Sequence, residues 1–223
     1  MIGFQIKKRE RCVSPELTER FRSLPVANVS DVMSRLTAAG ASLRPMHDGT
    51  AMAGPALTVK CRPGDNLMVH KALECAVRGD VIVVDAGGDL TNAIIGELMT
   101  AYAAKKGIAG IVINGAIRDS EILRKGSLPV FAAGVTHRGP YKDGPGEINV
   151  AVAIGGMCIE PGDLIIGDAD GLLCVPFQLA QEVYEAASAK HCAEETTITE
   201  ISEGRLDTSW VDQRLRLLGC AGV

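Results

Sequence analysis

The chain has 223 residues, of which 47% are hydrophobic and only 4% are aromatic, and its formal net charge is -4. It can therefore build a core from Ala, Val, Ile and Leu. No linker rich in Pro or Ser and no run of charge divides the sequence, so we predict a single domain over residues 1–223. The negative charge and the lack of a basic cluster argue against a nucleic-acid partner, whose phosphates require a positively charged surface.

No feature of the sequence indicates a membrane or secreted protein. The first ten residues lack the apolar centre of a signal peptide, and no apolar run approaches the ~20 residues that span a bilayer. We therefore expect a cytoplasmic protein that does not contact a membrane. The seven cysteines are widely scattered, without the paired short spacing of zinc sites, and we expect most of them to be reduced.

Helix signals and apolar runs alternate in the first 132 residues. A serine cap, Pro15 at the first helical position and an acidic first turn predict a helix over 15–22. A second helix is predicted over 29–39, ended by Gly40. The following predicted elements are a strand at 51–60, a helix at 66–76, a buried strand at 81–84, a helix at 97–106, a strand at 108–113, a helix at 121–125 and a strand at 128–132.

The second half of the chain has a different pattern. Strands are predicted at 148–159, 163–167 and 172–175, and two turn sequences rich in Gly, Pro and Asp join them. A closing helix is predicted over 177–193 and leads into a polar tail. Parallel and antiparallel strands with flanking helices predict an α/β fold, a single layered domain with a mixed sheet rather than a simple doubly wound one.

The segment from Glu97 to Asp119 is the strongest functional signal. The predicted helix over 97–106 advances about 15 Å at ~1.5 Å per residue, and the strand over 108–113 returns about 20 Å at ~3.3 Å per residue. The chain therefore brings Arg118 and Asp119 back to the level of Glu97, at the end of a buried strand, where α/β proteins usually bind ligands. Two carboxylates and a guanidinium there can hold a hard divalent cation and a small anionic substrate.

Structural alternatives remain open for these residues. Adjacent residues of a regular strand point to opposite faces, so Arg118 and Asp119 converge only if the strand ends at about Ile117. Otherwise Arg118 is a surface residue, and Asp119 caps the helix that follows it. The start of the preceding helix, over 93–98, presents free amide hydrogens and a positive dipole end that suit one carboxylate.

A glycine turn offers a different interpretation. Residues 85–88 follow a buried strand and end in two glycines, as at the start of a nucleotide or S-adenosylmethionine loop. The Gly-x-Gly-x-x-Gly spacing of such loops is absent. A methyltransferase is therefore a weak alternative, and a tight strand-to-helix turn is the other interpretation.

The histidines add little to the functional prediction. They are scattered, with no pair at metal-ligand spacing. His70, on the helix predicted over 66–76, fits a packed or hydrogen-bonded residue better than a base. His137 and Arg138 lie in the glycine-rich segment 134–146, which is long enough to serve as a lid or an interface and can border a substrate pocket.

Three segments together resemble the RraA-like family: 79–88, 95–98 and 110–119, the last of which ends in Arg118 and Asp119. The similarity runs from about residue 24 to residue 175. It implies the swivelling β/β/α fold of that family. It also implies one of two functions, because the family contains both class II pyruvate aldolases and non-catalytic regulators of ribonuclease E. The aldolases act on 4-hydroxy-4-methyl-2-oxoglutarate and 4-carboxy-4-hydroxy-2-oxoadipate.

The resemblance implies a role for each site residue. Asp119 is the implied direct metal ligand, Glu97 holds metal-bound water, and Arg118 contacts the pyruvyl oxygens. The amides that bind the pyruvate carboxylate are those of Ile95, Gly96, Glu97, Leu98 and Met99. The regulators lack the aspartate of the Arg-Asp pair, so its presence favours the enzymes. Several aldolases carry Asp where this chain has the longer Glu97.

The implied enzyme is a carbon–carbon lyase that uses Mg²⁺ or Mn²⁺ to cleave a 4-hydroxy-2-oxo acid and release pyruvate. Cleavage leaves the electrons on pyruvate as an enolate, whose charge needs positive groups where it develops. Oxaloacetate decarboxylation gives the same enolate and is expected as a side activity. The family also implies a homotrimer or homohexamer with shared sites. Each site would gain an acidic residue from a neighbour's C-terminal region, and the candidates are Glu194, Glu195, Glu200 and Glu203.

Overall fold

The computed structural model describes residues 3–37 and 39–223. They form strands β1 (Phe4–Ile6), β2 (Arg44–Pro45), β3 (Met52–Cys61), β4 (Val81–Asp85), β5 (Ala93–Ile95), β6 (Gly110–Ile117), β7 (Val130–Val135), β8 (Gly146–Ile148), β9 (Val152–Ile154), β10 (Met157–Ile159), β11 (Leu164–Gly167) and β12 (Leu172–Val175). The helices are α1 (Pro15–Arg22), α2 (Val26–Val32), α3 (Leu67–Cys75), α4 (Glu97–Lys106), α5 (Ser120–Lys125), α6 (Ala180–Ser202) and α7 (Ser209–Leu217). Two compact units result, a body that ends at Ala187 and a C-terminal unit of Ser188–Val223. The single domain over 1–223 stays a prediction.

A mixed sheet organises the body. Its main path has the strand order β1-β8-β3-β4-β6-β7-β2. Strands β3, β4, β6 and β7 are parallel, whereas β8 and β11 run antiparallel to β3. Strand β12 pairs with β11, and β5 lies beside the last residues of β6. The predicted α/β fold with a mixed sheet is confirmed.

The central strands are buried on both faces, which fixes the positions of their ends. In β4, Ile82 and Val84 pack in one hydrophobic cluster with residues of α3 and α4. Val81 and Val83, on the alternate face, pack in a second cluster with Phe131 and residues of β9 and β10. Such an uninterrupted apolar run is typical of a parallel strand covered by other elements on both sides. The loops that follow β4 and β6 therefore start from a rigid base.

Most predicted elements agree with the structure within a few residues, and α1 and α4 agree at both ends. The second helix is an exception. It was predicted over 29–39 but runs over Val26–Val32. Ser34 and Arg35 have positive φ angles of 57° and 63°, and this left-handed conformation ends a right-handed helix. Residue 38 of that prediction lies outside the described residues.

The prediction of one strand over 148–159 is also wrong. Gly155 and Gly156 have positive φ angles of 57° and 86° and turn β10 back onto β9 as an antiparallel hairpin. The closing helix, predicted over 177–193, extends to Ser202 as α6, and the predicted polar tail contains α7. None of the helices in the described part of the chain has the apolar length that a bilayer span requires.

Candidate active site

The carboxyl end of β6 brings Arg118 and Asp119 to the first turn of α4. The Oδ2 atom of Asp119 accepts a hydrogen bond from the backbone N–H of Glu97 at 2.9 Å. The Nε atom of Arg118 lies 3.6 Å from the same oxygen. Strand β6 ends at Ile117, which is the condition for the two side chains to converge. The structure therefore brings these three residues to one corner of the sheet.

Asp119 has an uncommon backbone conformation, with φ 55° and ψ 36°. Few residues other than glycine adopt this left-handed region. Asp119 occupies the N-cap position of α5, yet its side chain makes no capping hydrogen bond there. The carboxylate instead caps α4, whose positive end favours a negative charge. The alternative in which the side chain of Asp119 caps the following helix is therefore wrong.

Gly96 leaves the space that these charged side chains occupy. Its φ of -153° is extended backbone that any residue adopts, so its conformation does not require glycine. A Cβ atom here would lie 2.9 Å from Cγ and 3.0 Å from Nε of Arg118, and it would overlap the Asp119 carboxylate. A Cβ at Gly139 would likewise lie 3.3 Å from Nη1 of Arg118. The side chain of Arg118 therefore lies beside Gly96 and Gly139, which have no side chains.

A cavity of about 170 Å³ opens beside Arg118, and we refer to it as the Arg118 cavity. Its lining residues are Ile95, Gly96, Leu98, Met99 and Arg118, which were predicted for the site, and Asn66, His70, Ile94, Pro140 and Lys142, which were not. Glu97 borders a separate groove of about 210 Å³ between α4 and α5. Within the described residues, Glu97 joins the cluster through its backbone N–H rather than its carboxylate.

The first turn of α4 presents free backbone amides to the Arg118 cavity. A helix leaves its first four N–H groups without partners inside the helix. Those of Leu98 and Met99 donate to no group in the described residues. The predicted helix start at 93–98 is wrong in its first part, because Ala93–Ile95 is strand β5 paired with β6. The amides available for an anion therefore lie after Gly96.

Sequence reasoning missed Asn66 and Lys142 and gave His70 a structural role. Nδ2 of Asn66 donates to the carbonyl of Ile94 at 2.8 Å, while its buried Oδ1 atom accepts no hydrogen bond in the described residues. Partial burial, together with the charge of Lys142, lowers the pKa of His70 below its ordinary value and so favours the neutral imidazole. The Arg118 cavity therefore offers two cations, one open acceptor and one neutral imidazole.

The loop over 136–145, which joins β7 to β8 and carries Lys142, is tied to the start of α3. The side chain of Asp65 is fully buried, and its Oδ2 atom accepts the backbone N–H of Asp143 at 2.7 Å and that of Gly144 at 2.9 Å. Charged residues are almost never buried unless they are paired or hydrogen-bonded in this way. The Gly-Asp-Asn turn signal before α3 was the sequence feature that could have located this anchor.

Two other predicted features lie apart from the cavity. The Asp85 carboxylate closes the glycine turn, since it accepts the N–H of Gly87 at 3.0 Å and the side-chain amide of Asn114 at 2.9 Å. The turn is tight, as that interpretation required, but it leads from β4 to β5 rather than directly into a helix. His137 and Arg138 are absent from the described lining of the Arg118 cavity.

The donor set at Asp119 fits a hard divalent cation. The side chain of Asp119 is 37% exposed, and its Oδ1 atom accepts no hydrogen bond in the described residues. Mg²⁺ uses one or two protein carboxylates and keeps several waters, so one open carboxylate at a solvent-accessible corner suits this ion. No three His, Cys, Asp or Glu side chains in the described part of the chain are placed to hold a metal by themselves. The other ligands of such an ion would have to come from outside the described residues.

Comparison with known proteins identifies the family. The RraA-like family, described as Aldolase/RraA, matches residues 26–174. A Halalkalibacterium halodurans protein provisionally named 4-hydroxy-4-methyl-2-oxoglutarate aldolase is 41% identical over 184 residues, which cover 82% of this chain and 88% of that protein. The chain therefore belongs to the RraA-like family, and the resemblance of its three sequence segments is confirmed.

The chain is similar to relatives whose names describe different functions. The Thermus thermophilus 4-hydroxy-4-methyl-2-oxoglutarate aldolase is 39% identical over 112 residues, 50% of this chain and 68% of that protein. The crystal structure of Streptomyces coelicolor RraAS2 is described as an unusual member of the RNase ES inhibitor RraA protein family. It matches with a TM-score of 0.76 at 29% identity and covers 83% of this chain and 97% of that one. The family fold is confirmed, and the choice of function depends on the site.

Proposed function

We propose that the protein cleaves a 4-hydroxy-2-oxo acid by a retro-aldol reaction and releases pyruvate. The substrate is of the 4-hydroxy-4-methyl-2-oxoglutarate or 4-carboxy-4-hydroxy-2-oxoadipate type. The observation that carries this proposal is the Arg118–Asp119 pair at the start of α4, beside two free amides. Similarity to relatives named as aldolases supports the same class of reaction, a carbon–carbon lyase.

The Arg118 cavity has the size and the donors for a pyruvyl group. At about 170 Å³ it suits a small 2-oxo acid better than a nucleotide. The amides of Leu98 and Met99, at the positive end of α4, bind the substrate carboxylate. The planar guanidinium of Arg118 donates to the pyruvyl oxygens as a fork. Lys142, on the wall of the same cavity, pairs with the distal carboxylate.

The chemistry follows from where negative charge develops. A base takes the proton of the 4-hydroxyl group, and the electron pair of that O–H bond forms the carbonyl group of the second product at C4. The bond between C3 and C4 breaks, and its electron pair forms the enolate of pyruvate. Arg118 stabilises that charge because its guanidinium donors are already in place beside the cavity when the charge develops. Protonation at C3 completes pyruvate. Oxaloacetate yields the same enolate when it loses carbon dioxide, so slow oxaloacetate decarboxylation accompanies the main activity.

Asp119 is the residue that holds the divalent cation, Mg²⁺ or Mn²⁺, in this proposal. When bound, such an ion supplies Lewis-acid polarisation of the 2-oxo group. The hydrogen bond from the N–H of Glu97 holds Oδ2 of Asp119 in place and leaves Oδ1 for the cation. The proposed role of Glu97, to hold water around the ion, requires its exposed side chain to turn away from the groove between α4 and α5.

The proposal includes a cyclic homo-oligomer, a trimer or a hexamer, with shared sites. Several large apolar side chains of the C-terminal unit are exposed, among them Ile198 at 64%, Trp210 at 64% and Leu217 at 74%. A contiguous group of exposed apolar side chains is typical of an interaction surface, and these side chains are proposed to form one. The glutamates that are candidates to enter a neighbouring site are in this unit: Glu194, Glu195, Glu200 and Glu203.

Pyruvate release tests the proposal. The protein is incubated with a panel of 4-hydroxy-2-oxo acids and with oxaloacetate, in the presence of Mg²⁺, Mn²⁺ or EDTA. We expect pyruvate from at least one hydroxy acid, loss of activity with EDTA, and recovery when either metal is added back. Full activity after exhaustive chelation would exclude the metal-dependent mechanism. No pyruvate from any acid with either metal would exclude the lyase.

A non-catalytic regulator of ribonuclease E is the second candidate, favoured by the similarity to RraAS2. The family resemblance places an Arg without the following Asp in the regulators, and this chain has Asp119. An RNA-cleavage assay with ribonuclease E separates the two functions. Inhibition of cleavage together with no pyruvate release would support the regulator, whereas we expect pyruvate release without inhibition.

A further inference from the structure

We propose that a second cavity, between α1 and the start of β3, binds a small apolar monocarboxylate. Its volume is about 400 Å³, within the ~300–1,000 Å³ range of ligand pockets. The residues that carry the argument are Arg9, Thr18, Arg22, Val77, Arg78 and Asp80, all on its wall. We refer to it as the α1–β3 cavity.

The α1–β3 cavity and the Arg118 cavity lie at opposite ends of the sheet. Gly79 and Asp80 come immediately before β4, whereas Arg118 comes immediately after β6. Because β4 and β6 are parallel neighbours, the start of one and the end of the other face opposite edges. The eight residues of β6 extend about 26 Å at ~3.3 Å per residue. A ligand in the α1–β3 cavity is therefore not part of the substrate site.

The charges around the α1–β3 cavity leave one arginine without a carboxylate. Nη1 of Arg9 lies 2.7 Å from Oδ1 of Asp80, which is buried. Nε of Arg22 lies 3.0 Å from Oε2 of Glu19. Arg78 forms no ion pair within the described residues. Three arginines against two carboxylates leave one positive charge, which matches a ligand with a single negative charge.

A buried hydroxyl group faces the same cavity. Thr18 is only 7% exposed, and its Oγ1 atom has no hydrogen-bond partner in the described part of the chain. Buried polar groups are nearly always hydrogen-bonded, because an unpaired one loses its bonds to water without replacement. A carboxylate oxygen in the cavity would accept the hydrogen bond that Thr18 can donate.

The rest of the cavity wall is apolar and determines the uncharged part of the ligand. It includes the buried side chains of Val13 and Ala53 and the exposed side chain of Val77. Such a surface favours a hydrocarbon group over water or a small inorganic ion. The ligand therefore carries one carboxylate on an aromatic ring or a short alkyl chain. Benzoate is a suitable probe, and the neutral benzamide is its matched control.

Alkylation of Cys12 reports occupancy without any substitution. Cys12 lines the α1–β3 cavity and is exposed, and Cys220, which is also exposed, serves as an internal reference. The rate of reaction with N-ethylmaleimide is followed at each cysteine by peptide mass spectrometry. By mass action, benzoate at twice its dissociation constant should slow Cys12 about threefold and leave Cys220 unchanged. Equal protection by benzamide, or none by benzoate, would overturn the proposal.

Two variants test the named polar groups by calorimetric titration with benzoate. Arg78→Gln should weaken binding about tenfold because a charge-assisted hydrogen bond is lost. Thr18→Val should weaken it about fivefold, and its melting temperature should not fall, because the lost hydroxyl has no partner in the protein. Arg214→Gln, in the C-terminal unit, makes the same charge change elsewhere and should leave the affinity unchanged. Wild-type affinity in both cavity variants would overturn the proposal.

Oxalate separates this site from the substrate site. It is a small anion of the size of the pyruvyl group and would occupy the Arg118 cavity. We expect saturating oxalate to leave the affinity for benzoate unchanged, and we expect Arg118→Lys to do the same. Displacement of benzoate by oxalate would place benzoate beside Arg118 and remove the second site, while leaving the proposed lyase activity untouched.

Discussion

The carboxylate of Asp119 caps helix α4 through the backbone N–H of Glu97, 2.9 Å away, although the two residues are 22 positions apart in the chain. One side chain thus joins the end of β6 to the start of α4. Arg118 lies 3.6 Å from the same carboxylate oxygen, so a cation, an anion and the free amides of a helix share one corner. Any substitution of Asp119 should therefore affect both the proposed reaction and the position of α4.

Substitutions of Asp119 separate these two effects. Asp119→Ala should abolish turnover and lower the free energy of unfolding by ~0.5–2 kcal/mol, because α4 loses its cap. Asp119→Asn keeps an oxygen that can accept the N–H of Glu97 but loses the charge. It should retain most of the stability while turnover and the affinity for Mg²⁺ fall. Pyruvate release, thermal denaturation and metal titration measure the three quantities.

Asp168 provides the matched control for this prediction. Its Oδ2 atom accepts the N–H of Val26 at 2.9 Å and so caps α2 in the same way that Asp119 caps α4. Asp168→Ala should cost a similar amount of stability and leave kcat unchanged. Normal turnover in Asp119→Asn would show that the carboxylate is only a structural cap.

Arg118 is predicted to act through its shape as well as its charge. Arg118→Lys keeps the positive charge but replaces the planar fork with a single point of contact, so kcat should fall by about 10²-fold. Arg124→Lys, on α5, makes the same substitution outside the Arg118 cavity and should have no effect on kcat. A near-native kcat for Arg118→Lys would place this arginine outside the site.

Gly96 is predicted to be required for space. In Gly96→Ala the new methyl group would meet Cγ of Arg118 at 2.9 Å, and relieving this overlap should cost ~1–3 kcal/mol of stability and displace Arg118 and Asp119 from their positions. Turnover should fall with the displacement. Gly126→Ala is a milder control, because a Cβ there would lie 3.3 Å from the carbonyl oxygen of Leu123 and 3.5 Å from that of Ile122, with no contact shorter than these. Equal stability and turnover in both variants would contradict the steric argument.

The pKa of His70 is predicted to lie below its ordinary value of 6.5, chiefly through burial and then through the charge of Lys142. NMR titration of the imidazole measures it directly, and Lys142→Met should raise it. Just below pH 6.5 the unfolded chain binds more protons than the folded one, so stability falls as the pH falls through that window. The melting temperature of the wild type should therefore decrease more than that of His70→Gln on acidification from neutral pH. A His70 pKa above 6.5 would contradict this prediction.

The shared site is tested by mixing inactive subunits. If a neighbour supplies a carboxylate, Asp119→Ala subunits and subunits that lack the correct glutamate should recover partial activity together, because some interfaces pair two intact halves. Each of the four glutamates is replaced by Gln in turn, and exchange of subunits is verified by mass spectrometry. The matched control is exchange among Asp119→Ala subunits alone, which should stay inactive. No recovery with any glutamate variant after verified exchange, or a fully active monomer by light scattering, would remove the shared site.

Local signals in the sequence were sufficient for much of the fold. The bounds of α4 were predicted from its helix-forming residues and from Gly107, which ends the helix with a φ of 76°. The apolar runs of β4 and β6 likewise predicted buried strands. Both predictions succeeded because hydrophobic periodicity and turn residues act over only a few neighbouring positions. The same local reasoning predicted elements that were too long where residues with a positive φ interrupt them. Ser34 follows the end of α2, and Gly155 and Gly156 separate β9 from β10.

The same distinction between local sequence signals and long-range contacts applies to the candidate site. The sequence by itself determined that Arg118 and Asp119 return to the start of the helix at Glu97, because helix and strand lengths are additive along the chain. Only the tertiary structure decided that the Asp119 carboxylate turns to α4, and that Glu97 contributes its N–H rather than its side chain. These outcomes depend on the left-handed backbone conformation of Asp119 and on the hydrogen bond that joins its carboxylate to α4. Such contacts join distant positions, and no local pattern records them.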